Sequence, residues 1–197
     1  MSSLAGRYSE LVLASTSFGR KALLETLALP FRVEAPGVEE DVPVGTPPRA
    51  AATMLAERKA RAVSGRHPTA LVIGSDQIVS LDGVPLGKPK DAVAARKQLL
   101  SLVGRTHEVV TGVCLVGPGF FSCEVDVARM KVWPLSADEL DAYVASNEWE
   151  GCAGGYRVEG RGQALFESID GDRTGIVGLP MQQVVRLLRE AGVKLLG

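Results

Sequence analysis

Long apolar runs are missing from this 197-residue chain, and the residue types that most often announce chemistry are scarce, with 2 histidines, 3 cysteines and 2 tryptophans. The longest apolar stretches, Ala70 to Gly74 and Val109 to Val116, fall far short of the roughly 20 residues a membrane helix needs, so no membrane partner is expected. Met1 to Glu10 holds no basic stretch followed by an apolar run, and a secreted fate is not expected either. Cys114, Cys123 and Cys152 are widely spaced, with no CxxC pair. They indicate neither a zinc site nor a disulfide framework, and reduced thiols in the cytoplasm are the expected state. Charge of one sign is absent as well: 22 Lys and Arg stand against 23 Asp and Glu, for a net charge of -1. With no general field and no basic aromatic stripe, a nucleic-acid partner is excluded, and any phosphate must be held by a local cluster.

What is present is the alternation of an α/β protein. Leu11 to Ala14 reads as a short strand, Ser15-Thr16-Ser17 as a polar turn, and Ala22, Leu23, Leu24 and Leu27 as the apolar face of a helix. Pro47 and Pro48 announce a second helix through Val63 that stops near Gly65, with Leu55 on its apolar face. Ala70 to Ile73 reads as a buried strand ending at Gly74-Ser75-Asp76. Ile78 to Leu86 carries Asp82-Gly83, a hairpin signal, and returns to Gly87-Lys88-Pro89. A third helix spans Asp91 to Leu102. Val109 to Val116 and Phe120 to Val132 flank Gly117-Pro118-Gly119 as an antiparallel pair. Ser136 and Glu139 form a capping box for a helix through Ser146. A strand from Gln163 to Ile169 and a helix from Pro180 to Ala191 close the reading. The expected fold is a single α/β domain over residues 1 to 197 with a mixed sheet.

Three segments have the residue types for phosphate and base chemistry. Ser15 to Lys21 places hydroxyls and the cations Arg20 and Lys21 where a strand hands over to a helix, whose N-terminus offers free N–H groups to an anion. It also reads as an ordinary serine cap before a solvated basic pair. Gly74-Ser75-Asp76-Gln77 sets a carboxylate at a strand end, where α/β sheets open their ligand crevice. Asp76 there can hold a cation, take a proton from water, or simply cap a turn. Lys88 returns towards it across the hairpin. Glu39-Glu40-Asp41 and Lys59 read as solvated charges by local chemistry, and His107, alone at a strand entry, as structural. In the Gly-rich segment from Gly151 to Gly162, Glu159 offers two acceptors. Guanine matches them with N1–H and its N2 amine, whereas uracil and thymine present one N–H.

The pieces Leu13-Ala14-Ser15-Thr16-Ser17 with Arg20, Gly74-Ser75-Asp76-Gln77, Gly87-Lys88-Pro89, Val110-Thr111-Gly112, Cys152-Ala153-Gly154 and Gly178-Leu179-Pro180 occur in one order. In that order they resemble the Maf family of nucleoside triphosphate pyrophosphatases, from Leu11 to Gly192. The resemblance implies a Maf/ITPase-like domain with a mixed sheet flanked by helices and two lobes around a central cleft. It implies hydrolysis between the α and β phosphates of a nucleoside triphosphate, making the protein a hydrolase of acid anhydrides, with a divalent cation, Mg²⁺ or Mn²⁺, and a homodimer. By the same resemblance Asp76 is the proton acceptor, Ser15, Arg20, Lys59 and Lys88 bind phosphate, and Glu40 and Asp76 hold the metal. Gly19, Gln77 and Glu159 fall on the base-specificity positions. Gln77, Glu159 and Leu165-Phe166-Glu167 resemble the 7-methyl-GTP branch, which handles modified nucleotides. Gly19 departs from it, standing where that branch can show a Trp. The alternatives are a dTTP/UTP pyrophosphatase and a nucleotide-binding regulator of cell division.

Overall fold

The computed structural model describes Leu4 and residues 6–196. Leu11–Ala14 (β1) is fully buried, as a strand without a polar face must be. There follow Phe18–Glu25 (α1), Arg32–Val33 (β2), Pro48–Arg66 (α2), Leu71–Leu81 (β3), Val84–Leu86 (β4) and Ala92–Leu102 (α3). The second half comprises Thr106–Gly117 (β5), Phe120–Val132 (β6), Ala137–Val144 (α4), Phe166–Asp170 (β7), Arg173–Val177 (α5) and Met181–Glu190 (α6). The strands form one mixed sheet in the order β2-β1-β3-β5-β6-β7, with β4 paired to β3. This is the α/β mixed sheet flanked by helices that the sequence leads one to expect.

The feature that makes a site is a change of partner along one edge of β3. β1 runs parallel to it over Leu71 to Gly74, and β4 runs antiparallel to it over Val79 to Leu81. Between them, residues 75–78 are paired on the β5 side, and no strand among the described residues covers the other edge. The break expected at Gly74-Ser75-Asp76 is thus a change of neighbour and not an end, because β5 keeps the strand straight from Val72 to Ser80. Buried apolar side chains form three clusters: one includes Leu13, Leu24, Leu115 and Leu187, one Val79, Leu99, Met130 and Tyr143, and a third Val12, Ala56, Ala60 and Val72.

α2 lies close on this sheet because two glycines let it. A Cβ at Gly74 would sit 2.3 Å from Ala56 O, and one at Gly112 2.5 Å from Ala52 O. The facing helix surface is correspondingly small, with Ala51, Ala52, Ala56 and Ala60 buried. The Asp82-Gly83 turn is confirmed by positive φ at both residues, 52° and 79°, the conformation of a two-residue hairpin. The capping box is also present: Ser136 Oγ accepts from Glu139 N at 3.3 Å and Glu139 Oε2 accepts from Ser136 N at 2.8 Å. The strand expected from Gln163 does not start there. Residues 161–165 form a 3₁₀ turn, since Gly162 lies against the Arg157 backbone, 2.3 Å from its oxygen to an added Cβ, and β7 begins only at Phe166.

The expectation of three reduced thiols is corrected. Cys114 and Cys123 form a disulfide, and Cys152 is the free cysteine among the described residues. The cause is register: both cysteines are equidistant from the Pro118–Gly119 turn, so β5 and β6 pair them directly opposite each other. The bond closes a sequence separation of 9 residues, a loop whose chain-entropy effect is about 2–3 kcal/mol. Cys123→Ser is therefore expected to melt roughly 5–10 °C below the wild type for a chain of this size. A dithiol reductant should bring the wild type down to the variant and leave the variant unmoved. Equal melting temperatures before reduction would show that the bond contributes nothing.

Candidate functional site

Ser15 follows directly on β1 and is 4% exposed. Its Oγ accepts from Ser17 N at 3.1 Å, and the Ser17 hydroxyl caps α1 by accepting from Arg20 N at 3.4 Å. Leu24, fully buried, fastens the helix to the core, a contribution of about 1.5–3 kcal/mol. Arg20 is drawn inward: its Nε donates to Gly178 O at 2.8 Å and its Nη1 to Ser15 Oγ at 3.4 Å. Burial lowers the Arg20 pKa while the Asp76 and Glu40 carboxylates oppose that shift, and a guanidinium so placed stays charged. Hydroxyls, first-turn N–H groups and a fixed cation together form an anion-binding surface at the end of β1.

Asp76 lies on the uncovered edge of β3 and is 6% exposed. Its Oδ1 contacts the Lys59 ammonium, which also lies 2.5 Å from Glu40 Oε1. Lys59 is 4% exposed, against the expectation of a solvated side chain. The reason is its place on α2, on the same face as buried Leu55 and Val63. A buried ammonium requires a partner, and here it meets carboxylates from two segments, the loop before α2 and β3. The hydrogen bond from Lys59 holds the Glu40 carboxyl below the usual range, with further lowering from the charges of Lys88 and Arg20. Glu40 thus joins the charged cluster while its side chain stays 54% exposed in its loop, solvated as its local sequence leads one to expect. Lys88 is exposed, and its charge acts on Glu40. The turn that carries it is held by Gln98 Nε2 to Gly87 O at 3.0 Å and Gly154 N to Gly87 O at 3.3 Å.

The positions expected to read the base, Gly19, Gln77 and Glu159, gather around residues 175–177 and the first turn of α1. A Cβ at Gly19 would lie 3.6 Å from Glu159 Oε1 and 3.0 Å from Val177 Cγ1, so the Glu159 carboxylate approaches the first turn of α1. Gln77 reaches the same wall, its Nε2 donating to Gly175 O at 2.9 Å and Ile176 O at 2.8 Å. Phe18 stands 85% exposed beside Gly19. Ser75, which the sequence marked only as part of a motif, ties the wall to the sheet by hydrogen bonds to Gly112 O and Gly178 O, both 2.8 Å. Gly178 adopts a φ of 116°, open to glycine, where it closes α5.

The structure thus brings Ser15 to Arg20, Lys59 to Asp76 and Glu40, and Glu159 to Gly19, with the charges of Arg20 and Lys88 acting on Glu40. The sequence did not disclose the carbonyls of Gly175, Ile176 and Gly178, or buried Thr111 behind Gln77, as partners of these residues. His107 is outside this group: buried in an aromatic contact with Tyr156, its Nε2 2.7 Å from the phenol oxygen, it has its pKa pushed down to about 4 by burial. A separate hollow of about 280 Å³, lined by Ser80, Asp82, Thr106 and Arg129, gathers none of the expected residues. Chemically, the site offers cations and N–H groups for phosphate oxygens, with Asp76 and Glu40 as the carboxylates that could hold a metal. No group of three or more His, Cys, Asp or Glu placed to hold a metal ion occurs among the described residues, so further ligands would be water and substrate. No helix among them is long and apolar enough to cross a membrane.

Comparison with known proteins agrees with this geometry. The family described as Maf-like protein matches residues 10–191. A Xanthomonas campestris pv. campestris protein named 7-methyl-GTP pyrophosphatase is 46% identical over 187 residues, covering 94% of this chain and 97% of that one. A protein of the same name from Albidiferax ferrireducens is 41% identical over 191 residues, covering 95% and 96%. A Bacillus velezensis protein named dTTP/UTP pyrophosphatase is 39% identical over 184 residues, covering 93% and 97%. A solved structure, the Staphylococcus aureus Ham1 protein, covers 64% of this chain and 73% of its own at 19% identity and a TM-score of 0.46. With the family match spanning residues 10–191 and relatives 39–46% identical over nearly the whole length, the chain belongs to the Maf family.

Proposed function

We propose that this protein hydrolyses a nucleoside triphosphate between its α and β phosphates, with 7-methyl-GTP as the preferred substrate, in the nucleotide pool of the cytoplasm. The observation that carries the reading is the Lys59 ammonium joined to Asp76 and Glu40 beside the Ser15–Arg20 turn, at the uncovered edge of β3. Triphosphate oxygens would be held by Ser15, Arg20, Lys59 and Lys88, which oppose the charge that grows on the leaving group. Asp76 would accept the proton of the attacking water. The oxygen of that water joins the α phosphorus as the bond to the bridging oxygen breaks, releasing monophosphate and pyrophosphate.

The donor set fits a hard divalent cation. Two carboxylates, Glu40 and Asp76, already converge on one positive charge, and Mg²⁺ or Mn²⁺ would take its remaining oxygens from water and phosphate. When bound, such an ion offsets negative charge on the phosphates. Base choice is supported by Glu159 beside Gly19, where its acceptors suit guanine's adjacent donors, and by the names of the Xanthomonas and Albidiferax relatives. N7 methylation adds a positive charge that favours a nearby carboxylate.

A panel of triphosphates read by pyrophosphate release tests this. The kcat/KM for 7-methyl-GTP is expected to exceed that for UTP by roughly 10–100-fold, the span of one or two well-made hydrogen bonds to charged groups, and release should stop when divalent cations are chelated. The competing reading, dTTP and UTP hydrolysis, draws on Gly19, which offers a base no ring to stack on. Equal or better turnover of UTP would decide for it.

A further inference from the structure

Val110-Thr111-Gly112 and the segment ending in Gly178 carry no chemistry in the reading above, yet both converge on Gln77. The Gln77 Nε2 donates to the Gly175 and Ile176 carbonyls and lies 3.2 Å from Thr111 Oγ1. Backbone carbonyls only accept, so the amide nitrogen must face them, and the flip of this side chain is fixed by its partners. The Thr111 hydroxyl spends its proton on Gly175 O at 2.8 Å, leaving it an acceptor towards Gln77. With its nitrogen committed, partly exposed Gln77 is left its Oε1, which makes no hydrogen bond among the described residues. Thr111 itself is fully buried in β5 and cannot touch a nucleotide.

We propose that Thr111 is a positioning residue for base selection: with the Gly175 and Ile176 carbonyls it pins the Gln77 amide, so that the base meets acceptors alone, Gln77 Oε1 and the Glu159 carboxylate. This rests on the pyrophosphatase reading and deepens it. Guanine answers such a surface with the adjacent N1–H and N2 amine. Uracil and thymine answer it with one N–H between two carbonyl oxygens, which the acceptors repel. A released amide could turn and offer its NH₂ to those carbonyls, so loosening the pin costs discrimination before it costs turnover.

Thr111→Val keeps the branched shape and removes the hydroxyl. The ratio of kcat/KM for 7-methyl-GTP to that for UTP is expected to fall about tenfold, mostly through KM, as for one buried hydrogen bond, and Thr111→Ser should restore it. A purely structural role would lower both substrates in proportion and leave the ratio alone, which would overturn the proposal. Should Thr111→Val melt early, Gln77→Leu removes the proposed base-facing acceptor itself without disturbing the interior of β5 and must lower the ratio too. A wild type without purine preference would overturn the base assignment and this proposal together. A wild type with the preference, and variants that keep it, would overturn the role of Thr111 alone.

Discussion

Asp76→Asn is expected to reduce pyrophosphate release by a factor on the order of 10²–10⁴, the usual worth of a general base, while the nucleotide still binds. Asparagine keeps the volume of the side chain on the uncovered edge of β3 and can still accept from Lys59. It cannot take a proton from water at neutral pH. The Lys59 ammonium is not stranded by the change, because Glu40 Oε1 remains 2.5 Å away. The destabilisation should therefore fall below the ~3–5 kcal/mol of a broken buried pair. Of the phosphate-holding groups, Ser15, Arg20 and the first turn of α1 make no hydrogen bond to Asp76, and Lys59, which does, keeps Glu40 as its partner. The change removes a negative charge from beside the triphosphate, which favours affinity, and leaves Glu40 as the carboxylate for a cation. Titration calorimetry with 7-methyl-GTP, alongside a release assay, separates the outcomes. Release at the wild-type rate would remove Asp76 from the chemistry and favour a nucleotide-binding regulator in which hydrolysis is incidental. Loss of binding together with release would move Asp76 to a holding role instead.

The parts of this site that the sequence displayed are those whose residue types are unusual in their setting. Asp76 at the end of an apolar run and Glu159 among glycines stand out because carboxylates are costly there. Lys59 did not, since a lysine between arginines reads as a solvated face. The signal was its spacing, four residues from Leu55 and from Val63, which puts the three on one face of a helix. The disulfide was legible in the same indirect way. Once the turn is narrowed to Pro118-Gly119, with Gly117 opposite Phe120, Cys114 and Cys123 fall opposite each other. Counting cysteines without using that register concealed it. The wall formed by residues 175–178 had no such signal. Its contribution is made by backbone carbonyls of Gly175, Ile176 and Gly178, which every residue type possesses, so only the path of the chain reveals them. The 3₁₀ turn over residues 161–165 was hidden for a related reason, because its cause is a long-range approach to the Arg157 backbone and not a local preference.

Gly74→Ala is expected to damage both stability and catalysis without altering any side chain of the site. A methyl group there would meet Ala56 O at 2.3 Å, Ala60 N at 2.6 Å and Ala60 Cβ at 2.8 Å. Two of these atoms are backbone, so no rotamer change relieves the contact and α2 must lift from the sheet. Overpacking of this kind costs about 1–3 kcal/mol, or roughly 3–10 °C in melting temperature for a chain of this size. Lys59 stands on the same turn of α2, between the two alanines that would be displaced, and its ammonium would leave Asp76 and Glu40. A displacement near 1 Å of a positioned group can reduce turnover about 10²-fold, and a loss of that order in kcat is expected at temperatures where the variant remains folded. Gly65→Ala supplies the comparison. It lies in α2 with nothing within 4 Å of an added Cβ, and should hold or raise the melting temperature, by ~0.5–1 kcal/mol from helix propensity. If Gly74→Ala melted and turned over like the wild type, the close seating of α2 on β3 would not be what sets Lys59 against its carboxylates, and the helix would have to be held in place by contacts other than the glycine path beneath it.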